Sequence, residues 1–179
     1  MQQLVFFLLC VLVATGCRPG PANGDVAAPE IDTVSYRGDL DTAKSAMRTG
    51  RYDAVERIAR TVLAGTAGKG RLRKQRLHAL SLMGQVHQRR SRIDSAEFYY
   101  DALLRLAEAT RDTTWIGAAH INRGVVREIK GDYAGALAEG LEAMRWKEMQ
   151  GDSLSMARVL HNLRVVNWRR DSVDLAVEY

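Results

Sequence analysis

Proline is confined to the amino-terminal end of this chain of 179 residues. All three prolines, Pro19, Pro21 and Pro29, precede residue 30, and the rest of the chain contains none. Because proline removes a backbone donor and clashes with the preceding helical turn, so long a run without it suits continuous helices. The hydrophobic fraction of 46% and the charged fraction of 26% exclude a collagen-like or disordered chain. We therefore expect an all-α body after residue 36.

The amino terminus carries an uninterrupted apolar run from Leu4 to Ala14. A membrane-spanning helix needs about 20 apolar residues, whereas a shorter run is typical of a signal-peptide core. Small residues follow at once and lead to Cys17. This arrangement resembles the lipobox of bacterial lipoproteins, in which the cysteine is acylated and begins the mature chain. It departs from the usual pattern because no lysine or arginine precedes the apolar run.

The lipobox resemblance implies that residues 1–16 are a lipoprotein signal peptide and that Cys17 is the lipidation site. Cys10 would then be removed with the signal. Residues 17–36 are rich in proline, glycine and alanine and lack helical periodicity, so they are predicted to be a flexible tether. The protein would be lipid-anchored to a bacterial membrane and face the periplasm. A plain signal peptide cleaved elsewhere, or an apolar amino-terminal helix, is the alternative.

After residue 36 the apolar residues recur at helical spacing, and most boundaries between the periodic segments contain glycine or aspartate. Asp112 and Asp152 each precede a predicted helix, so both are expected to be N-caps that accept hydrogen bonds from first-turn amides. The pattern predicts eight helices in antiparallel pairs. They cover residues 38–48, 51–64, 71–90, 92–109, 113–129, 132–149, 153–169 and 171–179.

The periodic segments also repeat one another, with a period of 40 in residue number. A small residue or arginine in the first helix of a pair is followed, at a constant distance, by an alanine in the second helix. The equivalent positions are Gly84, Gly124 and Arg164 in the first helix, Ala96, Ala136 and Ala176 in the second, and the asparagines Asn122 and Asn162.

A small residue in the first helix and an alanine in the second are the signature of the tetratricopeptide repeat (TPR), which residues 37–179 resemble. Small side chains let the two helices of a unit approach closely, and larger ones fill the remaining space. The period of 40 differs from the usual repeat of about 34 residues, and Arg164 replaces a small residue. The resemblance implies a right-handed α-solenoid of about four helix-turn-helix units. The larger residues are Tyr100, Leu103, Leu137 and Leu141.

In this register the fourth unit stops early in its second helix, at Tyr179. Each unit of a solenoid buries one face on its neighbour, so an array that ends within a pair leaves an apolar face exposed. We therefore expect either that the chain is part of a longer protein or that it associates through its carboxy-terminal end.

No arrangement of residues indicates catalysis, a metal site or a cofactor. The four histidines lack metal-ligand spacing, and residues 65–70 lack the serine or threonine and the preceding strand of a phosphate-binding loop. The protein is therefore predicted not to be an enzyme and to hold no cofactor.

Charge is unevenly distributed along the chain. The net charge is +5, but residues 57–93 contain ten basic residues and no acidic one, which leaves 16 basic and 21 acidic residues elsewhere. Such a segment is either a solvated face or a surface that contacts anions such as phospholipid head groups, lipopolysaccharide or an acidic partner. We predict no nucleic-acid partner, because the signal segment removes the chain from the cytoplasm.

In TPR arrays the first helix of each unit lines a concave groove, where asparagines commonly bind the backbone of a peptide. The resemblance therefore implies this role for Asn122 and Asn162, whose amides can donate and accept at once. Arginines at neighbouring positions of the register would suit a carboxylate or an acidic segment. A surface or inter-helix role without a ligand is the alternative. The candidate peptide-binding residues are Asn122, Asn162, Arg158, His161, Gln85 and Arg89.

Together these features predict a non-enzymatic, membrane-anchored TPR lipoprotein that binds a peptide or protein partner in a concave groove. Two alternatives stay open. The chain could be the amino-terminal sensor part of a longer signalling or transcription-regulatory protein, which the incomplete fourth unit favours. It could also be an envelope-assembly factor that docks on an outer-membrane machine.

Overall fold

The computed structural model describes residues 33–178, with side chains for residues 35–171. The described residues form seven α-helices and one short 3₁₀ helix, with no strand among them, which confirms the predicted all-α class. The predicted signal peptide and Cys17 lie outside the described residues. The helices are α1 (Thr33–Arg48), α2 (Tyr52–Gly65), α3 (Arg73–Arg89), α4 (Ile93–Ala109), α5 (Thr113–Ile129), α6 (Tyr133–Gln150) and α7 (Ser153–Glu178), and the 3₁₀ helix is Gly70–Leu72.

The helices pack in chain order and form two layers. Each helix contacts the next, and the odd-numbered helices also contact one another in the order α1, α3, α5, α7. The odd-numbered helices begin at residues 33, 73, 113 and 153, and α4 and α6 begin at residues 93 and 133. The period of 40 in the sequence is therefore also the period of the helices.

Residues with positive φ close the tight turns between helices. Gly50, Gly131 and Gly151 have φ of 71°, 80° and 65°, which glycine adopts without steric cost. Ser91 and Arg111 take the same left-handed conformation, with φ of 56° and 52°. Since a non-glycine residue is strained there, the packing of the helices on either side must hold these two turns in place.

Aspartate side chains cap the helices that follow three of the turns. The carboxylates of Asp112 and Asp152 accept hydrogen bonds from the backbone amides of Trp115 and Ser155, over 3.3 and 3.1 Å, so both predicted N-caps are confirmed. Asp132 caps α6 in the same way over 2.8 Å, which the sequence reasoning did not predict.

Close helix approach at glycine is best seen between α3 and α4. Ala96, Tyr100 and Leu103 of α4 are fully buried. The Tyr100 ring lies against Gly84 of α3, where any Cβ atom would overlap the ring. The expectation that a small residue in the first helix makes room for a large one in the second is confirmed for this pair.

Gly84→Ala is expected to destabilise the protein, whereas Gly124→Ala, at the equivalent position of the next unit, should stabilise it. At Gly84 the added methyl group collides with the buried Tyr100 ring, and such overpacking costs about 1–3 kcal/mol. At Gly124 the nearest atoms lie 3.5 Å from the new Cβ, so alanine fits and its better helix propensity contributes up to about 1 kcal/mol. Urea unfolding measures the change in unfolding free energy of each variant. Changes of the same sign in the two variants would contradict the prediction.

The helical body begins earlier than predicted, at Thr33 and not at residue 37 or 38. The last residues of the predicted tether, 33–36, therefore belong to α1. Tyr36 is only 1% exposed and packs against Gly65 of α2. Burial of an aromatic side chain contributes about 1.5–3 kcal/mol, which outweighs the low helix propensity of the residues around it.

The predicted break between helices at Arg170 and Asp171 is wrong. Helix α7 is continuous from Ser153 to Glu178, so the predicted helices 153–169 and 171–179 are one. A turn there would need a strained residue, because no glycine is present at these positions. The predicted second helix of the fourth unit is therefore a continuation of its first helix.

The last two helices carry exposed leucines on their outer face. Leu141 of α6, expected to fill space between helices, is 63% exposed, and Leu160 of α7 is 57% exposed. In α3 the position equivalent to Leu160 is Leu80, which packs on α4 and is 6% exposed. Helix α7 has no such covering helix among the described residues, so its equivalent face remains open.

Candidate functional site

The six residues predicted to bind peptide line a single groove. The groove has a volume of about 610 Å³ and is formed by α3, α5 and α7, which are neighbours in the odd-numbered layer. Helix α3 contributes Gln85 and Arg89, α5 contributes Asn122, and α7 contributes the rest. The other predicted residues on its wall are Arg158, His161 and Asn162.

The sequence reasoning missed the apolar part of the groove. Ile121 and Val125 of α5 line it together with Leu154 and Ala157 of α7, and so does the polar Gln88 of α3. Ile121 and Val125 stand one repeat period from His161 and Gln85, so the repeat register could have found them. In the sequence they are not distinguishable from core residues, because apolar residues at helical spacing are more often buried in the core.

The described lining of the groove contains cations and amides but no carboxylate. Arg89 on α3 and Arg158 on α7 are exposed and stand on either side of α5. Among the side chains described, residues 35–171, no hydrogen bond or ion pair engages these arginines or the half-buried side chains of Asn122 and Asn162. An anionic or carboxylate-bearing segment would therefore find free donors and a favourable potential here.

Two glutamine side chains on α3 are held in place by hydrogen bonds. The amide nitrogen of Gln85 donates to the Ser81 hydroxyl over 3.0 Å. The carbonyl oxygen of Gln88 accepts from the Tyr100 hydroxyl over 2.8 Å. Burial raises the pKa of Tyr100, so its hydroxyl stays protonated and keeps donating. The buried core of α3 and α4 thus sets the position of one groove amide.

A buried carboxylate behind α5 fixes this central helix against α6. Glu139 of α6 is 8% exposed. Its two oxygens lie 2.8 Å from Nδ1 of His120, 3.2 Å from Arg123 and 3.3 Å from Arg127. Burial acts to raise the pKa of Glu139, but the hydrogen bond from His120 and the two arginines outweigh it and lower the pKa. This cluster thus joins α5, the helix that carries Asn122, to α6.

Two further histidines sit in packed surroundings. His78 meets Trp115 edge-on, with ring centroids 4.6 Å apart, and His87 stacks on Tyr99 at 5.2 Å. Burial lowers the pKa of both His78 and His87. In the part of the chain that the structure describes, no three His, Cys, Asp or Glu side chains converge as a metal site would require.

None of the helices within residues 33–178 has the length and apolar content needed to cross a bilayer.

No family model, curated protein or solved structure matches this chain.

Proposed function

We propose that the protein is a non-enzymatic interaction scaffold that binds an extended peptide segment of a partner in the groove between α3, α5 and α7. The observation that carries the proposal is the convergence of all six residues selected by the repeat register on one groove. Two arginines and two asparagines there have no partner among the described residues, so their hydrogen-bonding capacity is available to a ligand.

The spacing of the two asparagines suits an extended backbone. Asn122 and Asn162 lie on the adjacent helices α5 and α7, and packed helices have axes about 8–10 Å apart. An extended chain rises about 3.3 Å per residue, so the two amides would bind backbone groups about three residues apart. Arg89 and Arg158 would then contact acidic side chains or a terminal carboxylate, and the apolar residues would contact side chains between them.

The architectural part of the proposal is a TPR-like right-handed solenoid attached to a membrane. Helix starts with a period of 40, two alternating layers and the close contact of Gly84 with Tyr100 support a TPR-like arrangement. The lipobox-like segment ending in Cys17 supports a lipid anchor at the periplasmic face of a bacterial membrane. The groove would thus be presented to partners in the cell envelope.

Replacing Asn122 and Asn162 together by alanine is expected to weaken peptide binding about tenfold or more, because each lost hydrogen bond costs about 1 kcal/mol. The probe is a fluorescent oligoglutamate peptide with a free carboxyl terminus, followed by anisotropy. Asn167→Ala, an exposed asparagine of α7 outside the groove, is the matched control.

Charge preference gives a second readout on the same assay. The wild-type chain should bind oligoglutamate better than oligoglutamine, and the combined Arg89→Ala and Arg158→Ala variant should lose that preference. Unchanged affinity in the double asparagine variant would refute the groove assignment.

A further inference from the structure

A second charged feature lies outside the groove, where the chain enters α3. Lys69, Arg71, Arg73 and Lys74 are all exposed and lie close together in the sequence. The 3₁₀ helix Gly70–Leu72 brings them together, with Leu72 buried beneath at 1% exposure. No hydrogen bond or ion pair engages the side chains of Lys69, Arg73 or Lys74 within the described residues.

The beginning of α1 lies beside Lys74, one of these cations. Tyr36 packs against Gly65 at the end of α2, and Arg37 lines a groove of about 270 Å³ together with Lys74. Asp41 also lines this groove, but its carboxylate pairs with Lys44 over 3.1 Å. We call Arg37, Lys69, Arg71, Arg73 and Lys74 the basic end; it is the end at which the chain enters the helical body.

Two cations at the opposite end of the helices form ion pairs within the protein. There Arg90 pairs with Glu56 of α2 over 2.8 Å, and Lys130 pairs with Asp94 of α4 over 2.8 Å. At the basic end, Lys69, Arg73 and Lys74 have no such partners among the described residues. Moreover, the amino terminus of α3 carries a positive partial charge, so basic residues in its first turn oppose helix stability. Ion pairing within the described residues therefore does not account for Lys69, Arg73 and Lys74.

A buried polar group lines the groove at the basic end. Gln75 is 8% exposed, and its side-chain oxygen has no hydrogen-bond partner among residues 35–171, whose side chains are described. It lines the same groove as Arg37 and Lys74. A buried acceptor without a donor is costly, and a hydroxyl group carried by a ligand would satisfy it. A ligand that combines an anionic phosphate with hydroxyl groups fits both the cations and Gln75.

We propose that the basic end is a docking surface for the anionic phospholipid head groups of a membrane. The choice of a membrane rests on the proposed lipid anchor. The segment between Cys17 and Thr33 reaches at most about 55 Å when fully extended. An anchored chain would thus hold the basic end near the bilayer, where each lysine or arginine strengthens binding roughly fivefold.

The test measures sedimentation of the full chain, carrying Cys17→Ser, with phosphatidylcholine vesicles that contain or lack phosphatidylglycerol. The apolar amino terminus contributes equally to both, so the difference between the vesicles reports charge. The extra affinity for vesicles that contain phosphatidylglycerol should fall about 100-fold in the variant that combines Lys69→Gln, Arg73→Gln and Lys74→Gln. The matched control changes three exposed arginines at the opposite end, Arg48→Gln, Arg51→Gln and Arg92→Gln.

Each possible result decides the proposal. A large loss in the first variant and a small one in the control supports it. Equal losses would show that only net charge matters, and binding to duplex DNA in preference to the charged vesicles would assign the surface to nucleic acid; both overturn it. Because Cys17 is replaced throughout, failure of the anchor hypothesis leaves this result unaffected. Oligoglutamate binding by the first variant, which should be normal, reports separately on the groove.

Discussion

Tyr100→Ala should lower the free energy of unfolding by about 3–5 kcal/mol, the usual cost of removing a large buried aromatic side chain. The Tyr100 ring is fully buried, packs on Gly84 and holds Gln88 through its hydroxyl. A domain of this kind is stable by only about 5–15 kcal/mol, so the loss is a large fraction of the total. Urea unfolding followed by far-UV circular dichroism measures it.

Phe98 provides the matched control on the same helix. Its side chain is 63% exposed, so Phe98→Ala should change stability by less than about 1 kcal/mol. Tyr100→Phe keeps the packing and loses only the hydrogen bond to Gln88, which should cost about 1 kcal/mol. Similar losses for Tyr100→Ala and Phe98→Ala would mean that α4 does not pack on α3 as described.

Glu139→Leu should cost about 3 kcal/mol, because it removes the carboxylate shared by His120, Arg123 and Arg127. The cost stays below that of a fully isolated charge, since Arg123 keeps Asp101 at 3.0 Å and Arg127 keeps a second carboxylate. Glu142→Leu on the same helix, at an exposed position, is the control and should be nearly neutral. Equal effects of the two substitutions would contradict the buried cluster.

The contribution of Glu139 should also depend on pH. Its pKa in the folded protein lies below the ordinary value of 4.5, so its stabilising effect is complete above pH 4.5. The effect is lost as the pH falls through the lowered pKa of the folded state. The difference in unfolding free energy between the wild-type chain and Glu139→Gln should therefore shrink below pH 4.5. A constant difference between neutral and acidic pH would show that the carboxylate is not engaged.

Much of the helical layout follows from local signals. Asp112 and Asp152 each lie between two helices and cap the second one with their own side chains, so their role does not depend on distant packing. The groove residues were found for a related reason. Once the period of 40 is established, positions such as Asn122 and Asn162 must occupy the same face of successive helices.

The rest depends on which residue lies across the helix interface, and a single sequence does not state that. The sequence pattern indicates that Glu139 faces solvent, but it is buried because His120 and the arginines of α5 lie against it. Leu141 reads as a core residue, yet it is exposed. Its equivalent in the preceding unit is Asp101, which pairs with Arg123 of the next helix. The repeat register transfers positions between units, but not the partner on the facing helix.

The thin packing of α7 has a consequence for the groove. Among the residues with described side chains, the hydrophobic cluster that holds α7 has only three buried members, Ile121, Ala143 and Val159, whereas the two clusters nearer to α1 are much larger. Local opening should therefore separate α7 from α5 at a lower free energy than it separates α4 from α3. Since α7 supplies half of the predicted contacts, only the fraction of molecules with α7 seated can bind. The apparent affinity of the groove therefore depends on the fraction of molecules in which α7 packs on α5, as well as on the groove side chains. A bound segment that bridges α5 and α7 would hold the two helices together and slow backbone amide hydrogen exchange along α7.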